Sequence, residues 1–137
     1  MQKWVELVLS LSYGKALMSN DQPIIQVRLT DDFQQQVSTL AKRYRKIRLD
    51  IQPLIEQLEA GEIMGDQVQE TGYTVFKIRI KNSDIQKGKS AGYRLLYHVE
   101  PPTNILLLLI YSKSDKTDVS AAEIRAVIEE FYEVDET

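Results

Sequence analysis

Lys77, Arg79 and Lys81 occupy alternate positions of one segment, and Lys87, Lys89, Arg94 and Lys113 follow them before residue 114. In an extended chain the first three side chains share a face at a spacing of about 6.5 to 7 Å. That spacing is of the order of the step between successive phosphates of a single nucleic-acid strand, so the row has the chemistry to grip a phosphodiester backbone. A second basic run, Lys42, Arg43, Arg45, Lys46 and Arg48, closes a helical pattern. Each cluster also has an ordinary reading. Lysines on a sheet blunt unwanted edge pairing, and cations near a helix C-terminus are favoured by the helix dipole.

The whole chain has 137 residues with 17 Lys and Arg against 20 Asp and Glu, a formal net charge of -3 that by itself disfavours a polyanion partner. The charge is unevenly placed. Residues 73–114 sum to +5 and residues 115–137 to -6, with -2 over 23–72 and 0 over 1–22. A basic centre is thus offset by an acidic tail, which either shields it or faces a partner, and the molecule is steered to polyanions less well than a uniformly basic one. The absence of Cys excludes thiol chemistry, disulfides and cysteine-ligated metal, and a single His excludes a His-rich metal site. No metal and no small-molecule cofactor are expected. The longest apolar run, Ile105 to Tyr111, is far short of the roughly 20 residues that cross a bilayer, so a cytoplasmic protein without membrane contact is expected. A signal peptide is disfavoured because Glu6 interrupts the apolar stretch after Lys3 and no small-residue cleavage site follows.

The elements that must position these cations follow from periodicity. Trp4 to Tyr13 alternates and predicts a strand, followed by a connector from Gly14 to Pro23. Ile24 to Leu29 predicts another strand. Thr30 or Asp31 caps a helix on which Phe33, Val37, Leu40, Tyr44 and Ile47 form one stripe. Ile51, Leu54, Ile55 and Leu58 predict a second helix, with Asp50 as N-cap, Pro53 in the first turn and Gly61 at C′. Tyr73 to Ile80 alternates, with Phe76, Ile78 and Ile80 on the apolar face and Val75, Lys77, Arg79 and Lys81 on the other. Tyr93 to Glu100 and Ile105 to Tyr111 form an antiparallel pair around the turn Pro101 to Asn104, the second strand being central because it is wholly apolar. Ser120 and Glu123 spell a capping box before the stripe Ile124, Val127, Ile128 and Phe131. The order predicts an α+β domain: two N-terminal helices and a C-terminal helix packed on a mostly antiparallel sheet.

Three segments, taken together, resemble the RelE/ParE toxin superfamily. They are Phe76-Lys77-Ile78-Arg79-Ile80, then Lys87-Gly88-Lys89-Ser90-Ala91-Gly92-Tyr93-Arg94-Leu95-Leu96-Tyr97, then Leu108-Leu109-Ile110-Tyr111-Ser112-Lys113. The middle segment is similar to the loop of the HigB-like branch, and the resemblance covers residues 24 to about 131. It implies a RelE-like, microbial-ribonuclease-like fold and a type II toxin neutralised by a cognate antitoxin. In the RelE and HigB branches such a toxin is a ribosome-dependent endoribonuclease that cleaves mRNA and so inhibits translation, with ribosome and mRNA as partners. In the ParE branch the target is DNA gyrase and no RNA is cut. On the nuclease reading the resemblance makes Lys77, Arg79, Arg94 and Lys113 the catalytic set. Arg94, permanently charged and able to bind two oxygens, clamps the phosphate; Lys77 serves as base or acid if neighbouring cations depress its pKa; Arg79 and Lys113 stabilise transition-state charge. Lys81, Lys87, Lys89, Arg43, Arg45 and Lys46 would bind RNA.

The chain departs from that pattern after the last strand. Some relatives place a Tyr, or a further Arg or His, there, whereas here Lys113 is followed by Ser114, Asp115, Lys116, Thr117 and Asp118. His98 has the parity of Arg94 but lies about 13 Å along the strand, and its ordinary reading is structural. A ParE-like inhibitor, an inactive homologue that only binds an antitoxin, and a plain interaction domain with solubilising lysines all stay open. Residues 1–23 are expected to be an extension, either an added strand or a segment preceding a native start at Met18, and residues 24–137 the toxin domain.

Overall fold

The computed structural model describes residues 25–85, 91–101, 103–116 and 118–136, so the strand expected from Trp4 to Tyr13 lies outside the described residues. The chain runs through β1 (Gln26–Leu29), α1 (Asp31–Ala41), α2 (Ile47–Glu59), β2 (Asp66–Gln67), β3 (Val75–Ile80), β4 (Tyr93–Glu100), β5 (Asn104–Ser112) and α3 (Ala121–Glu136). The strands form one sheet in the order β1-β5-β4-β3-β2. Every pairing is antiparallel except that of β1 with β5. This is the expected α+β architecture, with β5 flanked on both sides; the two-residue β2 is an addition to it.

Local chemistry sets the helix ends. Thr30 caps α1: its Oγ1 accepts from the Phe33 N–H at 2.9 Å and donates to the Leu108 carbonyl at 2.7 Å. One buried hydroxyl therefore joins the helix start to the central strand and aims Phe33, Val37 and Leu40 at the sheet. Thr30→Val removes both bonds and strands two buried backbone groups. It is expected to cost about 2 to 3 kcal/mol, read as a lower urea midpoint at unchanged m-value.

The second helix corrects the expected start. It begins at Ile47, so Asp50 lies in its first turn and Pro53 in its second. Asp50 instead accepts from the backbone N–H and hydroxyl of Ser83. The carboxylate at the helix start belongs to Asp84, which accepts from the Lys46 N–H at 2.9 Å. A distant aspartate thus does the work of a local cap, and burial of Ile47 extends the helix backward. Pro53 lies on the exposed side of this helix, where a carbonyl left without its helical donor is open to solvent rather than sealed in the core. At the other end Gly61 has φ +93, the Gly61 N–H reaches Leu58 O and the Glu62 N–H reaches Gln57 O, which together make a Schellman motif at the expected glycine.

Both faces of the sheet are covered. The helical hairpin buries Phe33, Val37, Ile51 and Ile55 against Leu95, Tyr97, Leu107 and Ile110. On the opposite face Val75, Leu96, Leu106 and Tyr111 pack with Val119, Ile124 and Ile128. The face of β3 that carries Val75, Lys77 and Arg79 therefore begins in a core: Val75 is fully buried, and only the Lys77 and Arg79 end projects beyond it. Cover on both sides is also why β5 is apolar at every central position rather than alternating. Ser120 accepts from the Glu123 N–H at 3.1 Å, while the Glu123 carboxylate takes the Ser120 hydroxyl, which is half of the expected capping box.

A β-bulge sits between β4 and β5. Tyr97 pairs with Leu107, but Leu96 pairs with Leu109, so Leu108 is the extra residue. It switches the phase of β5: Leu107 and Ile110 share the hairpin face, while Leu108 and its neighbour Leu109 both enter the second core. Counting back from the Glu100–Asn104 turn without a bulge would put Ile110 opposite Arg94. The bulge puts Tyr111 there.

Candidate functional site

The basic residues converge where β3 and β5 end and β4 begins. Arg79 lies directly across from Arg94, and Arg94 directly across from Tyr111. Directly opposed side chains have Cβ atoms about 4.5 to 5.5 Å apart, so the Arg79–Arg94 juxtaposition is repulsive. Arg94 is only 6% exposed, and its guanidinium donates to the Tyr93 carbonyl at 3.2 Å. Burial first, and Arg79 second, lower its pKa, with Tyr111 acting in the opposite sense. The Tyr111 phenol is pushed up by burial and then by Asp118, and its buried hydroxyl has no hydrogen-bond partner.

Lys77 reaches from β3 to the connection between β5 and α3, where its ammonium meets Asp118 at 3.2 Å. The Val119 N–H, Lys77 and then Lys113 hold the Asp118 carboxyl below the usual carboxylate range. The Lys113 N–H donates to the Gly92 carbonyl at 2.9 Å, which anchors the end of β5 to the start of β4. Lys77, Arg79 and Arg94 are therefore gathered at one end of one face, and Lys113 closes β5 beside them. Lys81 is exposed just past β3. Lys87 and Lys89 lie outside the described residues.

The second cluster lies in the α1–α2 turn. Arg43 forms an ion pair with Asp115 and stands over the Tyr44 ring at 4.7 Å, while Arg45 and Lys46 are exposed. The two clusters thus meet the same β5–α3 connection from different elements, Arg43 through Asp115 and Lys77 through Asp118. Three participants escaped the sequence reading: Tyr111, whose place opposite Arg94 depends on the bulge, and the two aspartates, whose partners are distant in sequence. The alternation of acids and bases in Lys113-Ser114-Asp115-Lys116 was the signal available for the latter.

His98 shares the covered face with Arg94 but serves the core. It is 6% exposed, its Nδ1 is 2.9 Å from the Thr74 carbonyl, and its ring meets the edges of Tyr73 and Tyr132. Tyr132 in turn donates to Glu100. Among the described residues no three His, Cys, Asp or Glu side chains group as metal ligands, and no helix is long and apolar enough to cross a membrane.

An α+β sheet with a helical hairpin on one face and clustered cations at the β3–β4–β5 end is the framework expected of the toxin superfamily. The model of the ParE toxin of type II toxin-antitoxin (parDE) systems matches residues 27–117, which is more than half of the chain. The chain belongs to this toxin family, and a cognate antitoxin is its partner by virtue of that membership. The match takes in the hairpin, the sheet and Asp115, and ends before α3. No curated protein matches the chain.

Proposed function

We propose that this protein is a type II toxin that arrests growth by occupying its target, DNA gyrase, in the manner of the ParE branch, and that it does not cut RNA. The toxin unit on this reading is residues 24–137, with residues 1–23 an extension, and the place of action is the cytoplasm. One observation carries the choice: among the described residues the basic face shows cations to hold an anion but no histidine or phenol poised to move protons. Cleavage by a ribose 2′-hydroxyl needs one proton removed and one delivered, at groups whose pKa lies near the working pH. The Tyr111 phenol is moved further from that range, and the His98 ring is enclosed by Tyr73, Tyr132 and Thr74 far down the strand. The family match points the same way.

The test uses purified protein in two assays. Gyrase-driven supercoiling of relaxed plasmid is expected to be blocked, and translating ribosomes are expected to yield full-length mRNA. Codon-proximal cuts in the mRNA with supercoiling unaffected would establish instead the ribosome-dependent nuclease of the HigB-like resemblance, with Lys77, Arg79, Arg94 and Lys113 as its catalytic set.

A further inference from the structure

We propose that Asp115 and Asp118 are built-in competitors for the basic face: their carboxylates occupy Arg43 and Lys77 in the free protein, and a phosphodiester backbone takes these cations by displacing them. The proposal is independent of whether the target is gyrase or the ribosome.

The geometry places two acids, three residues apart on one connection, against two cations from separate clusters. Arg43 comes from the α1–α2 turn and Lys77 from β3. Neither acid is adrift. The Asp115 and Lys116 N–H groups both donate to the Ser112 carbonyl, which fixes the first acid against the end of β5. The Asp118 carboxylate accepts from the Val119 N–H at 2.8 Å, which aims the second. Lys116, between them in sequence, pairs with Glu123 at 3.2 Å.

The pairs are arranged to be exchanged rather than to hold the fold. The side chains of Asp118 and Asp115 are 71% and 43% exposed, and those of Arg43 and Lys77 are 53% and 34% exposed. Ion pairs this wet are weak and are screened by salt. A carboxylate offers one negative charge to its cation, whereas a phosphodiester strand offers a row of them and releases counterions on binding. Asp118 meets Lys77 directly, and Lys113 adds to the same lowering of its carboxyl pKa, so the second acid faces two cations of the cluster.

The experiment measures binding of labelled single-stranded RNA and of duplex DNA, each about 20 units long, by full-length protein over a salt series. In Asp115→Asn/Asp118→Asn two more cations become available, so the single-strand salt slope is expected to steepen by about 1.4 and affinity at about 0.1 M salt to rise about 10- to 30-fold. The gain should vanish near 1 M salt. Glu129→Gln/Glu130→Gln on α3 makes the same change in net charge at exposed positions and is expected to leave the slope unchanged. An equal gain in both double variants, or none in either, overturns the proposal, as does a gain from Asp118→Asn that persists when Lys77 is alanine. A gain on both nucleic acids supports recognition of the shared phosphodiester, and a gain on one assigns the source. An unchanged melting temperature confirms that the asparagine variants, which keep the Val119 N–H acceptor, are folded.

Discussion

Gly92→Ala is expected to destabilise the protein by about 3 kcal/mol or more, lowering Tm by roughly 10 °C in a chain of this size. A Cβ at Gly92 would stand 2.1 Å from the Ile80 carbonyl oxygen and 3.1 Å from the Ile80 carbonyl carbon and the Asn82 nitrogen. These are backbone atoms, and Ile80 is held in register opposite Tyr93, so nothing yields without opening β3 from β4. The opening would fall where Arg79 faces Arg94, and the Gly92 carbonyl that anchors Lys113 would move with it. Gly72→Ala is the control: its φ of +82 makes alanine strained there, but a Cβ meets nothing within 4 Å. Its cost should stay near 1 kcal/mol. Urea titration of both variants checks the contrast, and a Gly92→Ala loss within 1 kcal/mol of the control would show that the strands part easily. The glycine of the Gly92-Tyr93-Arg94 signature is thus required first by the approach of two backbones, whatever ligand the arginine meets.

Features written in neighbouring residues were legible. Thr30 before the Phe33–Val37–Leu40 stripe, Gly61 at a helix end and the Pro101–Asn104 turn all act within a few positions of themselves, so side-chain type and spacing suffice to read them. The parity that gathers Lys77, Arg79 and Arg94 on one face has the same origin. What escaped depends on partners brought from afar. Asp84 stands in for the expected Asp50 cap because Ser83 and Asp84, just after β3, meet the start of α2 across 38 residues of chain. Val75 carries the parity of the basic residues yet lies in a core, because α3 covers that part of the face. The bulge at Leu108 is invisible in a stretch of similar apolar residues, since moving the extra residue by one leaves the sequence pattern unchanged. It decides that a phenol rather than an isoleucine faces Arg94. The ion pairs of Arg43 with Asp115 and Lys77 with Asp118 span 72 and 41 residues, and no local pattern announces them.

Arg94→Met is expected to abolish growth arrest while leaving the fold at least as stable as before. The reasoning starts from sign. A basic group whose pKa is lowered on folding has its charged form disfavoured by the folded state, so at neutral pH its charge subtracts from stability. Arg94 is such a group, with burial as the first cause and Arg79 as the second. Methionine approximates the apolar stem, removes the repulsion across the β3–β4 pair and takes a donor from the Tyr93 carbonyl. These effects nearly offset, giving a change between zero and about 1 kcal/mol of added stability. Function should respond far more, because the same desolvation that makes the charge costly makes its attraction for an anion strong once a ligand approaches. Viability after induced expression is expected to recover at least tenfold, with soluble yield and urea midpoint unchanged or raised. Arg94→Lys should recover it only in part, since an ammonium keeps the charge and loses the two-pronged grip. If Arg94→Met unfolds the protein, the arginine is a structural tie and the repulsion with Arg79 is compensated by its partners. If it folds and still arrests growth, the target is met elsewhere on the surface. The expected outcome, a more stable and inert protein, would mark the Arg79–Arg94–Tyr111 row as a place where the fold gives up stability for binding.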